Sequence, residues 1–327
     1  MPNILITGGT GTIGTALSRM LLEKGYDVTV LSRSKGSSGL AGASGSGAGP
    51  SGIPVLRTAY WDVKAETIDK DAIRQTDFII HLAGAGVADK RWSQKRKNEI
   101  IESRTKSSAL LIKALREIPN KVQAVVSASA IGWYGADPAI PNPEPFVEAA
   151  PVDEDFLGET CRLWEESITP VTAMGKRLVI IRTGIVLSPK GGALAEFTKP
   201  VKMGVAAILG SGKQVISWIH VDDLCRFYLQ AIEQSDWRGV YNAVAPKPVD
   251  NKTLTLELAR RLKGKYYVPI YIPSFLLKIA LGELSVEVLK SATVSPKKAR
   301  IAGFQFLYPS IQGALEELLS PKVVGEL

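Results

Sequence analysis

Short apolar segments alternate with longer amphipathic segments through the first half of the chain. The apolar segments are rich in β-branched residues, and they predict strands at residues 3–7, 27–32, 55–61, 77–83, 122–129 and 177–184, with another near 239–244. Helical periodicity between them predicts helices at 12–24, 94–117 and 154–168. Apolar strands that alternate with helices are typical of a parallel sheet covered on both faces. The pattern therefore predicts an α/β fold of the Rossmann type, with a doubly wound parallel sheet.

The alternation fades after residue 185, where Pro and Gly become frequent. We therefore expect a Rossmann domain over 1–185 and a smaller C-terminal α/β substrate lobe over 186–327, with about 215–245 returning to the Rossmann sheet. Residues 35–52 contain mostly Gly, Ser and Ala, a composition that predicts a flexible loop. The most apolar later stretch, 268–289, is interrupted by Pro and charged residues, so it predicts an amphipathic helix rather than a membrane span.

Composition narrows the classes of function. The 327 residues are 45% hydrophobic, which is sufficient for a large core. The net charge is +8, but the chain contains no nucleic-acid recognition motif. We therefore expect no nucleic-acid partner and no membrane association. Cys161 and Cys225 lack a metal-type spacing, so no metal site is predicted. The chain begins MPNILITGG without a secretory pattern, which favours a cytoplasmic location.

The strongest local motif is ITGGTGTIG at residues 6–14. Gly9, Gly11 and Gly14 form G-x-G-x-x-G between the first predicted strand and the first predicted helix, and Gly8 adds a second register. Such glycines allow a tight turn, close approach of the backbone to a pyrophosphate, and close packing of helix on strand. The helix, which begins near Thr12, would place its positive end at the pyrophosphate. The motif predicts a dinucleotide-binding site.

The end of the second strand predicts which dinucleotide is bound. Leu31-Ser32-Arg33-Ser34 stands where an acid would hold the ribose 2′-hydroxyl of NAD. A guanidinium and two hydroxyls suit a 2′-phosphate instead, so we predict NADP(H). Asp62, after the third strand, is expected on the adenine side. The HLAG segment at 81–84 is expected against the ribose, with His81 as a buried structural residue.

Motifs along nearly the whole chain resemble the extended short-chain dehydrogenase/reductase superfamily. Its cofactor loop resembles ITGGTGTIG, and its F-I-H-V-D-D segment resembles WIHVDDL (218–224). The narrower resemblance is to epimerase family proteins of the YfcH type. The segments that carry it are ESRTKSSALLIKAL (102–115), SASAIGWYG (127–135), DFLGETCRLWE (155–165), RTGIVL (182–187), YNAVAPKPVDN (241–251) and VSPKKARIAGFQFLYP (294–309).

The resemblance implies NADP(H) bound by the first domain and a lobe that closes over a small-molecule substrate, in a monomer or homodimer. The residues expected to contact the cofactor include the motif glycines; the full set is Gly8, Gly9, Gly11, Thr12, Ile13, Gly14, Arg33, Asp62, Leu82, Ala83, Gly84, Arg104 and Ser127.

The same resemblance raises a difficulty about catalysis. In that superfamily a Ser polarises the substrate oxygen, a Tyr transfers the proton, and a Lys four residues later lowers the pKa of the Tyr and holds the nicotinamide ribose. Ser129 matches the Ser, but aligning Glu165 with the superfamily's downstream Glu puts Leu157 and Cys161 at the Tyr and Lys positions. The standard mechanism is therefore not available, and Ser129 and Tyr134 are the candidate catalytic residues.

Three hypotheses follow. The chain is an NADP(H)-dependent oxidoreductase or epimerase with substitute catalytic groups; or it binds NADP(H) without turnover, as a sensor that a partner recognises; or the fold serves only protein interaction, with a structural cofactor. The resemblance favours the first, a nucleoside-sugar-epimerase-like oxidoreductase that acts on an unknown small molecule, and a non-catalytic sensor or interaction protein is the alternative.

Overall fold

The computed structural model describes residues 1–34 and 53–320. The predicted flexible loop, 35–52, lies outside the described residues. In chain order, the first elements are β1 (Asn3–Thr7), α1 (Thr12–Glu23), β2 (Asp27–Ser32), β3 (Leu56–Asp62), β4 (Thr67–Ile68), α2 (Lys70–Gln75), β5 (Phe78–His81), α3 (Gln94–Glu117), β6 (Ala124–Ala130), α4 (Phe156–Ile168) and β7 (Arg177–Thr183).

The remaining elements follow β7. They are β8 (Ile185–Ser188), β9 (Gly191–Gly192), α5 (Ala193–Lys202), β10 (Val205–Leu209), β11 (Val215–Ile216), β12 (Trp218–His220), α6 (Val221–Glu233), β13 (Gly239–Ala243), β14 (Val249–Asp250), α7 (Asn251–Lys263), β15 (Val268–Ile272), α8 (Ser274–Leu281), α9 (Leu284–Leu289), α10 (Lys297–Ile301) and α11 (Ile311–Leu319). Short 3₁₀ helices follow β6 (Ile131–Trp133) and α4 (Thr169–Met174). Within the described part of the chain, no helix has the length and apolar character needed to cross a membrane.

The chain divides into two compact units. The first contains Met1–Gly135, Glu148–Thr183 and Leu224–Tyr241, and the second contains Ala136–Val147, Gly184–Asp223 and the chain from Asn242 onward. The domain bounds expected from the sequence, 1–185 and 186–327, stay a prediction.

The first unit is built on an eight-stranded sheet of order β13-β7-β6-β5-β1-β2-β3-β4. The pairs that join β7, β6, β5, β1, β2 and β3 are all parallel, and β4 is antiparallel to β3. The strand order reverses between β1 and β5, so the carboxyl ends of these two strands form the switch point at which such sheets bind ligands. The structure thus confirms the predicted α/β fold with a large parallel sheet flanked by helices.

Local sequence explains where these helices begin and how the sheet is buried. Every residue of β1 is buried, as expected for a central parallel strand covered on both faces. Side-chain oxygens of Asp69, Ser93 and Asp155 accept hydrogen bonds from first-turn N–H groups and so cap α2, α3 and α4. Helix α1 is different, because its N-cap residue is Gly11 and no side chain bonds its first turn.

Among its described residues, which end at Ser320, the second unit contains three small sheets. Its sheets have the orders β12-β8-β9, β10-β15 and β11-β14. The amphipathic helix predicted at 268–289 is wrong, because this stretch forms β15 followed by α8 and α9. Pro273, which cannot continue the strand ladder, ends β15 and caps α8, and Gly282, at φ +63°, ends α8.

Candidate functional site

The turn between β1 and α1 requires glycine for reasons of packing. Gly8 has φ +70°, and a Cβ atom added there would lie 2.9 Å from the carbonyl carbon of Leu82. A Cβ on Gly9 would lie 2.7 Å from both Val30 methyl carbons, and one on Gly14 would lie 2.5 Å from the Cα of Gly9. Real Cβ atoms do not approach other atoms so closely. The turn is therefore pressed against β2 and the end of β5.

Gly11 stands apart from the other motif glycines. A Cβ added to Gly11 would meet only the carbonyl oxygen of Gly8, at 3.4 Å, so this residue faces open space. Thr12 and Ile13 follow as the first two residues of α1, whose first turn contains no acidic residue. An open approach to an uncapped helix N-terminus fits a bound pyrophosphate. The local structure is thus compatible with the predicted dinucleotide.

Residues predicted for the adenosine side lie at the ends of β2 and β3. Arg33 is exposed directly after β2, and it has no hydrogen-bond or ion-pair partner among residues 1–34 and 53–320. Asp62 ends β3, and its Oδ1 accepts from the backbone N–H groups of Lys64 (2.8 Å) and Ala65 (3.1 Å). These two bonds from Ala65 and Lys64 lower the pKa of the Asp62 carboxyl. Arg33 is thus available to a ligand anion, whereas Asp62 already stabilises its own turn.

The loop after β5 is anchored by a chain of buried hydrogen bonds. The Thr7 Oγ1 atom accepts from the backbone N–H groups of Leu82 and Ala83, both at 3.1 Å, so its own hydrogen points to His81 Nδ1, 2.7 Å away. The Nε2–H of His81 then donates to Ser108 Oγ at 3.1 Å. Burial lowers the pKa of His81 to about 3. His81 is therefore neutral and structural, as expected, and it holds Leu82 and Ala83 in place.

Arg104 lies beside the exposed Gly84 at the end of the same loop. A Cβ on Gly84 would lie 3.1 Å from Arg104 Cζ. Arg104 Nη1 donates to the carbonyl oxygens of Ala85 (3.0 Å) and Ile100 (2.9 Å), and its guanidinium lies 4.8 Å from the ring centre of Trp164. The side chain thus connects α3 and α4 to the carboxyl end of β5.

Ser127 and Ser129 lie in the carboxyl-terminal half of β6, which pairs with β7. Ser127 is buried opposite His81 of β5 and Ile180 of β7. Ser129 Oγ donates to Glu165 Oε1 of α4 at 2.7 Å. The only hydrogen of the Ser129 hydroxyl therefore points to a carboxylate.

Glu165 also forms a buried ion pair with Arg182 of β7. Arg182 Nε donates to Glu165 Oε1 at 2.8 Å, and Arg182 Nη2 donates to Oε2 at 2.9 Å. Arg182 Nη1 donates to the Tyr134 hydroxyl oxygen at 3.1 Å and to the carbonyl oxygen of Glu148 at 3.2 Å. Tyr134 is completely buried. The two candidate catalytic residues, Ser129 and Tyr134, are thus joined through this ion pair.

Helix α4 presents Leu157 and Cys161 toward the turn after β6. A Cβ on Gly132 would lie 3.1 Å from Leu157 Cβ and 3.7 Å from Cys161 Sγ. Cys161 donates to the carbonyl oxygen of Ala130, with 3.6 Å between Sγ and O. Burial, together with the charge of Glu165, raises the pKa of the Cys161 thiol to about 12. At neutral pH Cys161 is an inert thiol.

A cluster of possible metal ligands lies in the second unit, at His220, Asp222 and Glu317. His220 Nδ1 accepts from the backbone N–H of Asp222 at 3.0 Å, so the ring proton is on Nε2, which contacts Glu317 Oε2 at 2.9 Å. Neither ring nitrogen then has a lone pair free for a metal. The neighbouring Asp223 accepts from the backbone N–H of Leu307 at 2.8 Å, so WIHVDDL has structural contacts.

Comparison with known proteins decides the family. A model described as the NAD-dependent epimerase/dehydratase family matches residues 4–243, and a domain of unknown function (DUF1731) matches residues 272–318. The chain belongs to the NAD-dependent epimerase/dehydratase family. Within it, the chain is 32% identical over 321 residues to the epimerase family protein YfhF of Bacillus subtilis, covering 98% of this chain and 99% of that protein.

Two solved structures extend this similarity to the fold. The human epimerase family protein SDR39U1, solved with NADPH, matches with a TM-score of 0.80 and 27% identity over 97% of this chain and 98% of that chain. The nucleoside-diphosphate sugar epimerase from Corynebacterium glutamicum matches with a TM-score of 0.72 and 29% identity, covering 98% of this chain and 58% of that one. This member of the epimerase/dehydratase family is therefore SDR39U1-like.

Sequence reasoning missed the role of two residues in this family member. The sequence motifs use Glu165 only to align α4 and include Arg182 only as part of RTGIVL, so neither residue is predicted to belong to the site. Two signals were present in the sequence. Arg182 is a cation inside the apolar strand RLVIIRTG, and Glu165 lies next to Trp164 on the apolar side of its helix. A charge in such a position is rarely buried unless it is paired.

Proposed function

We propose that this chain binds NADP(H) across the carboxyl edge of its parallel sheet and acts as an oxidoreductase of the epimerase type on a small molecule. The single observation that carries the cofactor proposal is the end of β2, where Arg33 is exposed, has no hydrogen-bond or ion-pair partner among the described residues and has no acid next to it in the sequence. A 2′-phosphate would give this guanidinium a charge-assisted partner, whereas the hydroxyl of NAD would not. The NADPH bound by human SDR39U1 supports the same choice.

The cofactor would supply hydride transfer, and the residues described above would hold it. We propose that Gly8, Gly9, Gly11, Thr12, Ile13 and Gly14 bind the pyrophosphate. Arg33 and Asp62 would serve the adenosine side. Leu82, Ala83, Gly84, Arg104 and Ser127 would lie along the other half. Ser129 and Tyr134 remain the proposed substitute catalytic residues for the missing Tyr-x-x-x-Lys pair.

A binding experiment tests the cofactor proposal. NADPH and NADH are titrated into the wild type, Arg33→Ala and the control Arg19→Ala, which removes the same charge from an exposed position of α1. Because hydrogen bonds to charged groups contribute about 1.5–3 kcal/mol, Arg33→Ala should weaken NADPH binding about 10- to 100-fold and leave NADH binding nearly unchanged. Equal or tighter binding of NADH by the wild type would contradict the proposal.

A second candidate function, a sensor that binds NADP(H) without turnover, is favoured by one specific observation. The hydroxyl groups of Ser129 and Tyr134 are both engaged with the buried Glu165–Arg182 pair, and Cys161 is a buried thiol. The single hydrogen of the Ser129 hydroxyl points to Glu165, and Tyr134 and Cys161 are buried, which favours binding without proton transfer. Absorbance at the nicotinamide band separates the two functions, since a sensor leaves bound NADPH unoxidised with every carbonyl compound tested. The YfcH-type subgroup, the cytoplasmic location and a monomer or homodimer state stay predictions.

A further inference from the structure

Arg104 is a buried cation on the inner side of α3. The residue is only 9% exposed, and its neighbours on the same face of the helix, Ile100, Ser107 and Ser108, are also buried. Its hydrogen bonds to two carbonyl oxygens both leave from Nη1. Nε and Nη2 therefore keep their donor hydrogens, since no described residue makes a hydrogen bond with them.

The charge of Arg104 is not balanced by a carboxylate in the part of the chain that the structure describes. The other buried arginines nearby differ in this respect. Arg182 has Glu165 at 2.8 Å, and Arg96 has Glu99 at 2.8 Å. Burial, followed by repulsion from Arg96, lowers the pKa of Arg104 to about 10. A buried charge without a countercharge lowers the stability of the fold, and charged groups whose pKa is shifted by burial cluster at functional sites.

The position of Arg104 specifies which part of a ligand it would meet. Its guanidinium lies against Gly84, just past the carboxyl end of β5. A dinucleotide bound by this fold places its pyrophosphate at the β1–α1 turn and its adenosine toward β2 and β3. The other half then lies over β5 and β6, where Arg104 is.

We infer that Arg104 binds the nicotinamide half of NADP(H), donating from Nε and Nη2 to the ribose oxygens, and that its charge makes the site prefer the reduced cofactor. The reduced ring is neutral and the oxidised ring is cationic, so a fixed positive charge disfavours only the oxidised form. At an effective dielectric constant of about 20, two unit charges within about 12 Å of each other repel by at least about 1.4 kcal/mol, which corresponds to a preference of at least about 10-fold. This inference rests on the proposed binding of NADP(H).

The experiment measures the dissociation constants of three ligands by calorimetry. The ligands are NADPH, NADP⁺ and adenosine 2′,5′-bisphosphate, which lacks the nicotinamide half. The proteins are the wild type, Arg104→Gln, Arg104→Lys and the control Lys106→Gln, which removes a charge from an exposed position two residues further along α3. Circular dichroism and a thermal melt establish that each variant is folded.

The expected result has three parts. The wild type binds NADPH at least 10-fold more tightly than NADP⁺. Arg104→Gln loses that preference and at least 10-fold of its NADPH affinity, while its affinity for adenosine 2′,5′-bisphosphate changes less than 2-fold. Arg104→Lys keeps the preference because it keeps the charge, and Lys106→Gln resembles the wild type.

Other results overturn the inference. A folded Arg104→Gln that keeps the preference, or that loses all three ligands equally, contradicts it. If Arg104→Gln does not fold, loss of the preference in folded Arg104→Lys does the same. A wild type that binds NADPH and NADP⁺ equally also contradicts it while leaving the proposed function intact, whereas a wild type that binds none of the ligands refutes the proposed function itself.

Discussion

Replacing Glu165 by Gln should destabilise the first unit more than any other conservative change in α4. The Arg182 and Glu165 side chains are only 3% and 9% exposed, and two hydrogen bonds of 2.8 and 2.9 Å join them. Gln keeps the shape of Glu and one acceptor oxygen but leaves the Arg182 charge uncompensated. Removing one partner of such a buried pair costs about 3–5 kcal/mol.

Helix α4 contains its own control for this prediction. Arg162 and Glu166 approach to 2.6 Å, shorter than the buried pair, but their side chains are 35% and 59% exposed. Exposed helical pairs of this spacing contribute about 0.3–0.5 kcal/mol, so Glu166→Gln should have little effect. The comparison therefore separates burial from distance as the source of the stability.

Urea unfolding followed by far-UV circular dichroism and tryptophan fluorescence measures both variants against the wild type. The free energy of unfolding should fall by about 3 kcal/mol or more for Glu165→Gln and by less than about 0.5 kcal/mol for Glu166→Gln. The double variant Glu165→Gln/Arg182→Met should lose less than the sum of its single changes, because each single change leaves the other residue unpaired. Equal losses for Glu165→Gln and Glu166→Gln, or strict additivity, would refute the reasoning.

Three further predictions concern single positions. Gly14→Ala should abolish NADPH binding or folding because its Cβ would lie 2.5 Å from Gly9 Cα, whereas Gly313→Ala, whose Cβ would be 3.7 Å from its nearest neighbour, should fold normally by circular dichroism. Cys161 should not react with a chromogenic disulfide reagent at pH 8 until urea unfolds the chain, since its thiol is buried and its pKa is raised to about 12; rapid labelling of the folded protein would contradict this. Because the pKa of His81 falls from 6.5 to about 3 on folding, only the unfolded chain takes up this proton between those pH values. The free energy of unfolding should therefore decrease by up to about 1.4 kcal/mol per pH unit as the pH falls through this range. His81→Asn should show a smaller dependence of this free energy on pH, and an equal dependence in both proteins would refute the burial of a neutral His81.

The sequence predicted the strands and helices around the large parallel sheet closely because their signals are local. The strands 3–7 and 27–32 and the helix 94–117 coincide with β1, β2 and α3, since each combines a clear periodicity with a turn or cap residue at its end. The stretch 268–289 failed because its apolar residues have no single period. In this stretch Pro273 separates β15 from α8, and Gly282 ends α8. The strand before Pro273 forms because β15 pairs with β10, which is distant in the sequence.

In the candidate site, too, the local features were predictable from the sequence and the long-range contacts were not. The glycine turn is contiguous in sequence, and each glycine has a local steric reason that a motif records. The Ser129–Glu165–Arg182 contacts join residues up to 53 positions apart, on a strand, a helix and the next strand. Their partnership depends on how α4 lies on β6 and β7. The sequence contains no pattern for that packing beyond the presence of charges on apolar elements.

The buried hydrogen bonds that join Thr7, His81 and Ser108 have a consequence for how this family diverges. Each hydrogen in the series has one direction, because Thr7 must accept from two backbone N–H groups and therefore donates to His81. A change of Thr7 alone would leave the Ala83 N–H and Nδ1 of His81 without this partner inside the core, whereas the Leu82 N–H would keep the backbone carbonyl oxygen of residue 7 at 3.2 Å. We therefore expect relatives to inherit positions 7, 81 and 108 as a set, either all retained or all exchanged, with few sequences that carry a partial combination.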